Sequence, residues 1–352
     1  MFTELRLKHI CIKNRLCRSA TNEHLGTQDG FVTDELCEFY SKLARFNAGL
    51  IFTSHFCVAE GGRGDDHQIM ISDDKYIEGL SQLPAAVHPY GAKIVAQINH
   101  AGAKARPNAN PQGSMITSST SERHNFMDVE QIAKVRQTYA AAAVRAKKSS
   151  YDGVQIHIAH GYLLTQFLDP TINLRSDEYG GNSENRFRLI GDIISDIHML
   201  CGKDFPIFIK INCNCMNEEA YNFIEIAQRL EKLGVEALEL SGYDFSNFER
   251  NYMQPYYFRT ALEVKKHVSV PIILVGGLHD ALTAQKVIDS GVDAVSFSRP
   301  LLCEPDLFEK FAEDRQYVAK CVHCNSCYRT YFSEHKHCVF EKAPNIRLAN
   351  NY

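Results

Sequence analysis

Residues 151–158 read Tyr-Asp-Gly-Val-Gln-Ile-His-Ile: a polar turn, a glycine and then a run of branched apolar residues. The pattern recurs as NAGLIFTS at 47–54, LGVEALELS at 233–241 and SGVDAVSFS at 290–298. In each copy a helical pattern ends, a glycine turns the chain, and a strand begins. Strand patterns extend to 16–20, 50–54, 93–99, 154–158, 207–212, 237–241, 272–275 and 294–297. Most read as continuous hydrophobic runs, as expected of parallel strands covered by helices. Amphipathic stretches separate them. In TDELCEFYSKLARFNAG (33–49), Thr33 is placed to cap a helix, Leu36, Phe39, Tyr40 and Leu43 share one face, and Gly49 is placed to end it. Further helices are expected at 128–148, 184–200, 218–233, 256–267, 281–289 and 306–314.

Strict strand–helix alternation predicts an α/β fold, and eight strands fit a closed (βα)8 TIM barrel over residues 1–315. An open doubly wound sheet is the alternative; no G-x-G-x-x-G opens a helix to favour it. Residues 316–352 lose the apolar periodicity and read as a short Cys-rich C-terminal extension.

Composition narrows the function. The 352 residues carry 38 Lys+Arg against 42 Asp+Glu, a net charge of −4, so the basic footprint of a nucleic-acid or membrane-surface partner is missing. No apolar run approaches the roughly 18 residues of a membrane span. The start, MFTELRLKHICIKNRL, lacks a signal-peptide core, so a cytoplasmic location is expected. Most of the 12 cysteines are scattered, which reads as a reducing compartment rather than a disulfide scaffold.

Barrels of this class take their catalytic groups from the carboxyl ends of the strands. After the fourth strand come His157, His160 and Tyr162. Two imidazoles can hold an oxygen on which negative charge develops, and a tyrosine can donate a proton. A metal pair or structurally buried histidines remain the alternatives. Gly276 and Gly277 follow the seventh strand and Ser298 and Arg299 the eighth, the usual place for a phosphate in this barrel. Lys210 ends the fifth strand, where a cation faces the same mouth, and Gln97 in the third offers an amide.

These residues carry a resemblance. The run GVQIHIAHGYLLTQFLDPTINLRSDEYGGNSENRFRL (153–189) resembles the old yellow enzyme family of FMN-dependent oxidoreductases. NRLCRSAT, VAQINHAGAKAR, ILVGG and SRPLL agree in order, over roughly residues 1–310. The 2,4-dienoyl-CoA reductase branch looks nearest. The resemblance implies that Ala20 and Thr21 lie near the flavin, that Gln97 bonds its pyrimidine edge and that Lys210 sits by N1 and O2. It implies that Gly276, Gly277, Ser298 and Arg299 hold the FMN phosphate. His157 and His160 would bind a substrate carbonyl, and Tyr162 would be the proton donor. The implied activity is an ene-reductase that takes electrons from NAD(P)H and reduces the C=C bond of a small-molecule α,β-unsaturated carbonyl or enoyl thioester. Two departures stand out: Ser298 replaces a usual glycine and Lys210 a common arginine. The flavodoxin-like and NAD(P)-binding domains of dienoyl-CoA reductases are not among these residues, so no internal relay from FAD is expected within them.

Cys321, Cys324, Cys327 and Cys338 form the one cysteine cluster. Tight C-x2-C steps suit iron–sulfur or zinc sites. The dienoyl-CoA reductase branch binds a 4Fe–4S cluster here with three residues between its second and third cysteines, where this chain has two. Iron–sulfur, zinc with His323 or His337, and metal-free thiols stay open. A flavin redox sensor or electron-transfer module without alkene turnover is the competing function, and a barrel isomerase of phosphorylated sugars a third. The 107–126 loop is expected to shape the pocket, and the 342–352 tail, with Arg347, to reach a neighbouring subunit. Homo-oligomerisation itself is not readable.

Overall fold

The computed structural model describes residues 1–105, 116–117, 125–215, 217–243, 254–332 and 335–340. A period of two, hidden inside the apolar runs, decides how the strands sit. In the fifth strand, Ile207–Asn212, the three isoleucines join the core beneath the helices, while Phe208 joins a separate cluster inside the barrel. Every residue of that strand is buried, so it reads as uniformly apolar although its two faces differ.

Eight parallel strands close into a (βα)8 barrel. They are Leu16–Arg18, Leu50–Cys57, Lys93–Asn99, Val154–Ile158, Ile207–Asn212, Ala237–Ser241, Ile272–Val275 and Ala294–Phe297, each paired with its neighbours in sequence and the eighth with the first. The barrel's lower half is filled by Cys17, Leu50, Phe52, Val95, Phe208, Ala237, Ile273 and Ala294. Below them an antiparallel pair, Leu5–Arg6 with Cys11–Ile12, plugs the amino-terminal end with Leu5 and Ile12. His9 ties this plug to the barrel: its backbone N–H donates to Glu236 at 2.8 Å, and its ring bonds the same carboxylate at 2.7 Å.

The helices follow the capping logic of the sequence with several corrections. Thr33 caps helix Asp34–Arg45 as expected, but Asn47, at φ +71°, turns the chain rather than Gly49. Gly49 is needed for space, since a Cβ there would meet Asn14 Oδ1 at 2.4 Å. Asp128 forms a capping box with Gln131 and starts Val129–Lys148. The stretch expected as one helix at 218–233 breaks at the left-handed Asn222 into Glu218–Tyr221 and Phe223–Lys232. Helix Ile77–Val87 was hidden from the sequence reading by Pro84 inside it. Proline removes the N–H that would bond the Leu80 carbonyl, and the Tyr151 hydroxyl donates to that carbonyl instead, at 3.1 Å.

After residue 316 the chain returns across the carboxyl end of the barrel. Val318 bridges Asp280, Ala319 N–H donates to the His279 carbonyl at 2.7 Å, and Lys336 N–H donates to the Glu23 carbonyl at 2.8 Å. Most of the 107–126 loop and all of the 342–352 tail lie outside the described residues. Among the described residues no helix is long and apolar enough to cross a membrane.

Phe208 and Phe52 meet edge to face in the barrel floor, with ring centroids 5.4 Å apart. Phe208→Ala should therefore cost about 3–5 kcal/mol of unfolding free energy, measured by denaturant titration. A loss below about 1 kcal/mol would show that this layer does not carry the barrel's packing.

Candidate active site

Above the apolar floor the inward positions turn polar. Gln97 and Gln155, on the third and fourth strands, face each other, and the Gln97 amide donates to Gln155 Oε1 at 2.7 Å. Gln155 in turn donates to Glu239 Oε2 on the sixth strand at 2.9 Å. That carboxylate lies 3.3 Å from Lys210 Nζ, which donates to Ser19 Oγ at 2.6 Å. A chain of hydrogen bonds thus crosses the barrel from the third strand to the first. Burial pulls the Lys210 ammonium below its ordinary pKa, and Glu239 pulls it back up.

This layer is the floor of a cavity of about 230 Å³ at the barrel mouth. Ten of the eleven residues singled out in the sequence for flavin binding or catalysis line it: Ala20, Thr21, Gln97, His157, His160, Tyr162, Lys210, Gly276, Ser298 and Arg299. Gly277 does not. At φ +72° its Cα faces the Gln254 carbonyl, which a Cβ would approach to 1.8 Å.

The fourth strand and the turn after it set the two histidines and the tyrosine. His160 and Gly161 both take left-handed backbone, φ +61° and +72°, which brings the chain round sharply. The His157 ring centroid lies 5.1 Å from that of His160 and 5.1 Å from that of Tyr162. His160 Nε2 bonds Ser241 Oγ at 2.8 Å, and its backbone N–H donates to Asn212 Oδ1 at 3.1 Å. Burial drives both imidazoles well below their usual pKa; Lys210 and Lys104 add to it, as does His160 for His157. Both rings are therefore neutral at pH 7 and act as hydrogen-bonding groups rather than cations. His157 Nδ1 is buried with no hydrogen-bond partner among the described residues.

At the opposite end, Gly276 (φ +106°) lies under the Tyr256 ring, where a Cβ would come within 2.8 Å. Ser298, placed where a glycine was expected, shares a 2.7 Å hydrogen bond with the Thr21 hydroxyl. Arg299 Nη1 donates to Asn325 Oδ1 and Nη2 to the Tyr256 hydroxyl at 3.4 Å.

The profile of the NADH:flavin oxidoreductase / NADH oxidase family matches residues 1–317. The chain belongs to this family. It is 33% identical over 342 residues to an NADH oxidase of Thermoanaerobacter brockii, a match covering 92% of this chain and 52% of that one. It is 32% identical over 349 residues to a metal reductase of Desulforamulus reducens, covering 92% of this chain and 50% of that one. The chain thus spans about half the length of these two relatives. Among solved structures, an old yellow enzyme homologue from Zymomonas mobilis superposes with a TM-score of 0.81 at 28% identity, over 91% of this chain and 94% of that one.

The old yellow enzyme residues present here fit an FMN. A buried ammonium and an amide at the barrel centre suit the pyrimidine edge of the flavin ring, whose carbonyl oxygens and ring nitrogens accept hydrogen bonds. Arg299 lies across the cavity, where a phosphate dianion would need it.

Sequence reading missed Ser19, Gln155, Glu239, Ser241 and His55. The signal was present: the polar residues of QIN, QIH, KIN and ELS fall on alternate positions and so face one side. His55 was not legible, because it faces inward only through a bulge in the second strand.

The four clustered cysteines line a separate hollow of about 20 Å³ beside Arg299. Left-handed His323 (φ +52°) and Asn325 (φ +61°) fold the loop around Cys324. Burial pushes the Cys321 thiol up to about 12. Among the described residues no three His, Cys, Asp or Glu side chains are set to hold a metal ion.

Burial also pulls His55 and His100 down to about 4. Below pH 6.5 the unfolded chain takes up protons that the fold refuses, so stability falls with falling pH until about pH 4. The slope should reach about 1.4 kcal/mol per pH unit for each such histidine. Denaturant unfolding at pH 7.5, 6.0 and 5.0 checks this; a flat profile would contradict it.

Proposed function

We propose that this barrel is an FMN-dependent NAD(P)H oxidoreductase that reduces the C=C bond of α,β-unsaturated carbonyl or enoyl-thioester substrates. The observation that carries the reading is the convergence of His157, His160 and Tyr162 on the cavity that also holds Lys210 and Arg299. When bound, FMN supplies the hydride chemistry, accepting from NAD(P)H and giving to the β-carbon of the alkene.

The chain's own residues supply charge, position and a proton. Lys210 and Gln97 would hold the pyrimidine edge of the flavin. Arg299, with the backbone beside Gly276 and Ser298, would hold its phosphate, and Ala20 and Thr21 would pack beside the ring. His157 and His160 would donate N–H groups to the substrate's carbonyl oxygen. Neutral donors suit this task, because their hydrogen bonds strengthen as charge builds on the oxygen while the proton stays on the imidazole. Ser241 and Asn212 hold the His160 ring and backbone in place. Tyr162 would deliver its phenolic proton to the α-carbon, completing addition of hydride and proton across the double bond. No step is routed through the cysteine cluster.

Anaerobic stopped-flow separates the two halves of the cycle. Tyr162→Phe should slow flavin reoxidation by an enone by roughly 10²–10⁴-fold, the range of a general acid, and slow flavin reduction by NADPH far less. Equal slowing of both halves would refute the role of Tyr162. A wild-type protein that binds no FMN would refute the reading itself.

A further inference from the structure

The second strand carries a side chain that the family resemblance gives no role. Phe52 pairs with Val95 and His55 with Gln97, so three residues on the second strand span two on the third. Such a bulge reverses which residues face inward. Without it Phe56 would point into the barrel; with it Phe56 packs beneath the helices, and His55 lines the cavity. The His55 ring centroid lies 5.4 Å from that of Tyr162.

The tautomer of His55 is fixed by its neighbours. Gly64 N–H donates to Gln68 Oε1 at 2.6 Å, which identifies the amide oxygen. The amide nitrogen of Gln68 must then donate: to the His55 carbonyl at 2.8 Å and to His55 Nδ1 at 2.5 Å. Nδ1 is therefore the acceptor, and the proton of the neutral ring sits on Nε2. Around the ring, Asp65 favours protonation while Lys336 and His24 oppose it, and burial outweighs all three.

We propose that His55 is a positioning residue for Tyr162, its Nε2–H held by Gln68 as a fixed neutral donor to the phenolic oxygen. It rests on the alkene-reducing reading above. When Tyr162 gives its proton to carbon, the O–H bond breaks and the electron pair stays on the phenolic oxygen. A donor already in place stabilises that phenolate. His55 is not a proton relay, because Gln68 offers Nδ1 an N–H and no proton to pass on. The bulge then has a chemical purpose, to put an imidazole opposite Gln97, where an unbroken strand would put Ser54.

Two measurements test this. In ¹⁵N NMR of histidine-labelled protein, His55 should be a neutral ring protonated at Nε2 from pH 5.5 to 8.5; a proton on Nδ1, or titration near pH 6.5, overturns the proposal. In stopped-flow with NADPH and 2-cyclohexenone, His55→Phe should lower the ratio of the reoxidation rate to the reduction rate by about 10–100-fold, as expected for one hydrogen bond to a charged group. His55→Gln, which keeps an N–H donor, should recover most of that ratio. In a Tyr162→Phe background, His55→Phe should add nothing further. Equal slowing of both halves, no recovery with glutamine, or an additive double variant overturns the inference with the alkene-reducing reading intact. A wild type reduced by NADPH but never reoxidised by the enone removes that reading, and the inference with it.

Discussion

An ammonium group in the middle of a barrel cannot be left alone. Taking Lys210 out of water is costly unless a carboxylate and neutral acceptors surround it. Glu239 and Ser19 supply them, and Gln155 and Gln97 extend the network across the interior. This polar layer divides the barrel. Below it the inward side chains are apolar and fill the space; above it the cavity opens. The cation is held rigidly at that boundary, facing a site that can receive an anionic or electron-rich ring.

Much else follows from where that layer sits. Inward residues one step above it on neighbouring strands reach the cavity, among them His157 and Ser241. The left-handed turn at His160 and Gly161 then returns His160 and Tyr162 to the same space. Neutral imidazoles are a consequence as well. Two rings buried near Lys210 and Lys104 refuse protons, so they meet a substrate oxygen as donors of fixed direction. The segment after residue 316 closes the opposite wall, where Arg299 joins the cavity to the cysteine loop through Asn325.

The strand positions were legible because apolar, β-branched runs between helical patterns leave few alternatives. The third to eighth strands match their expected bounds, while the first ends early, at Arg18, and the second runs on to Cys57. The site was legible where chemistry and spacing coincide, as in His157-x-x-His160-x-Tyr162. It was illegible where geometry depends on a single irregularity. His55 sits in an apolar run and faces inward only because of a bulge, and no sequence pattern announces one. Pro84 misled in the opposite direction, since the tyrosine that replaces its missing hydrogen bond lies 67 residues away. Gly49 was placed correctly as a boundary but for the wrong reason: it makes room for Asn14 rather than turning the helix.

The central claim is that one cavity holds a flavin ring over Lys210 and its phosphate at Arg299. Fluorescence titration of flavin-stripped protein with FMN and with riboflavin tests it most directly. The account predicts that FMN binds at least about 100-fold more tightly, because the dianion meets a charge-assisted site, and that Arg299→Ala removes most of this preference. Equal affinity for the two flavins, or a preference untouched by loss of Arg299, would contradict it.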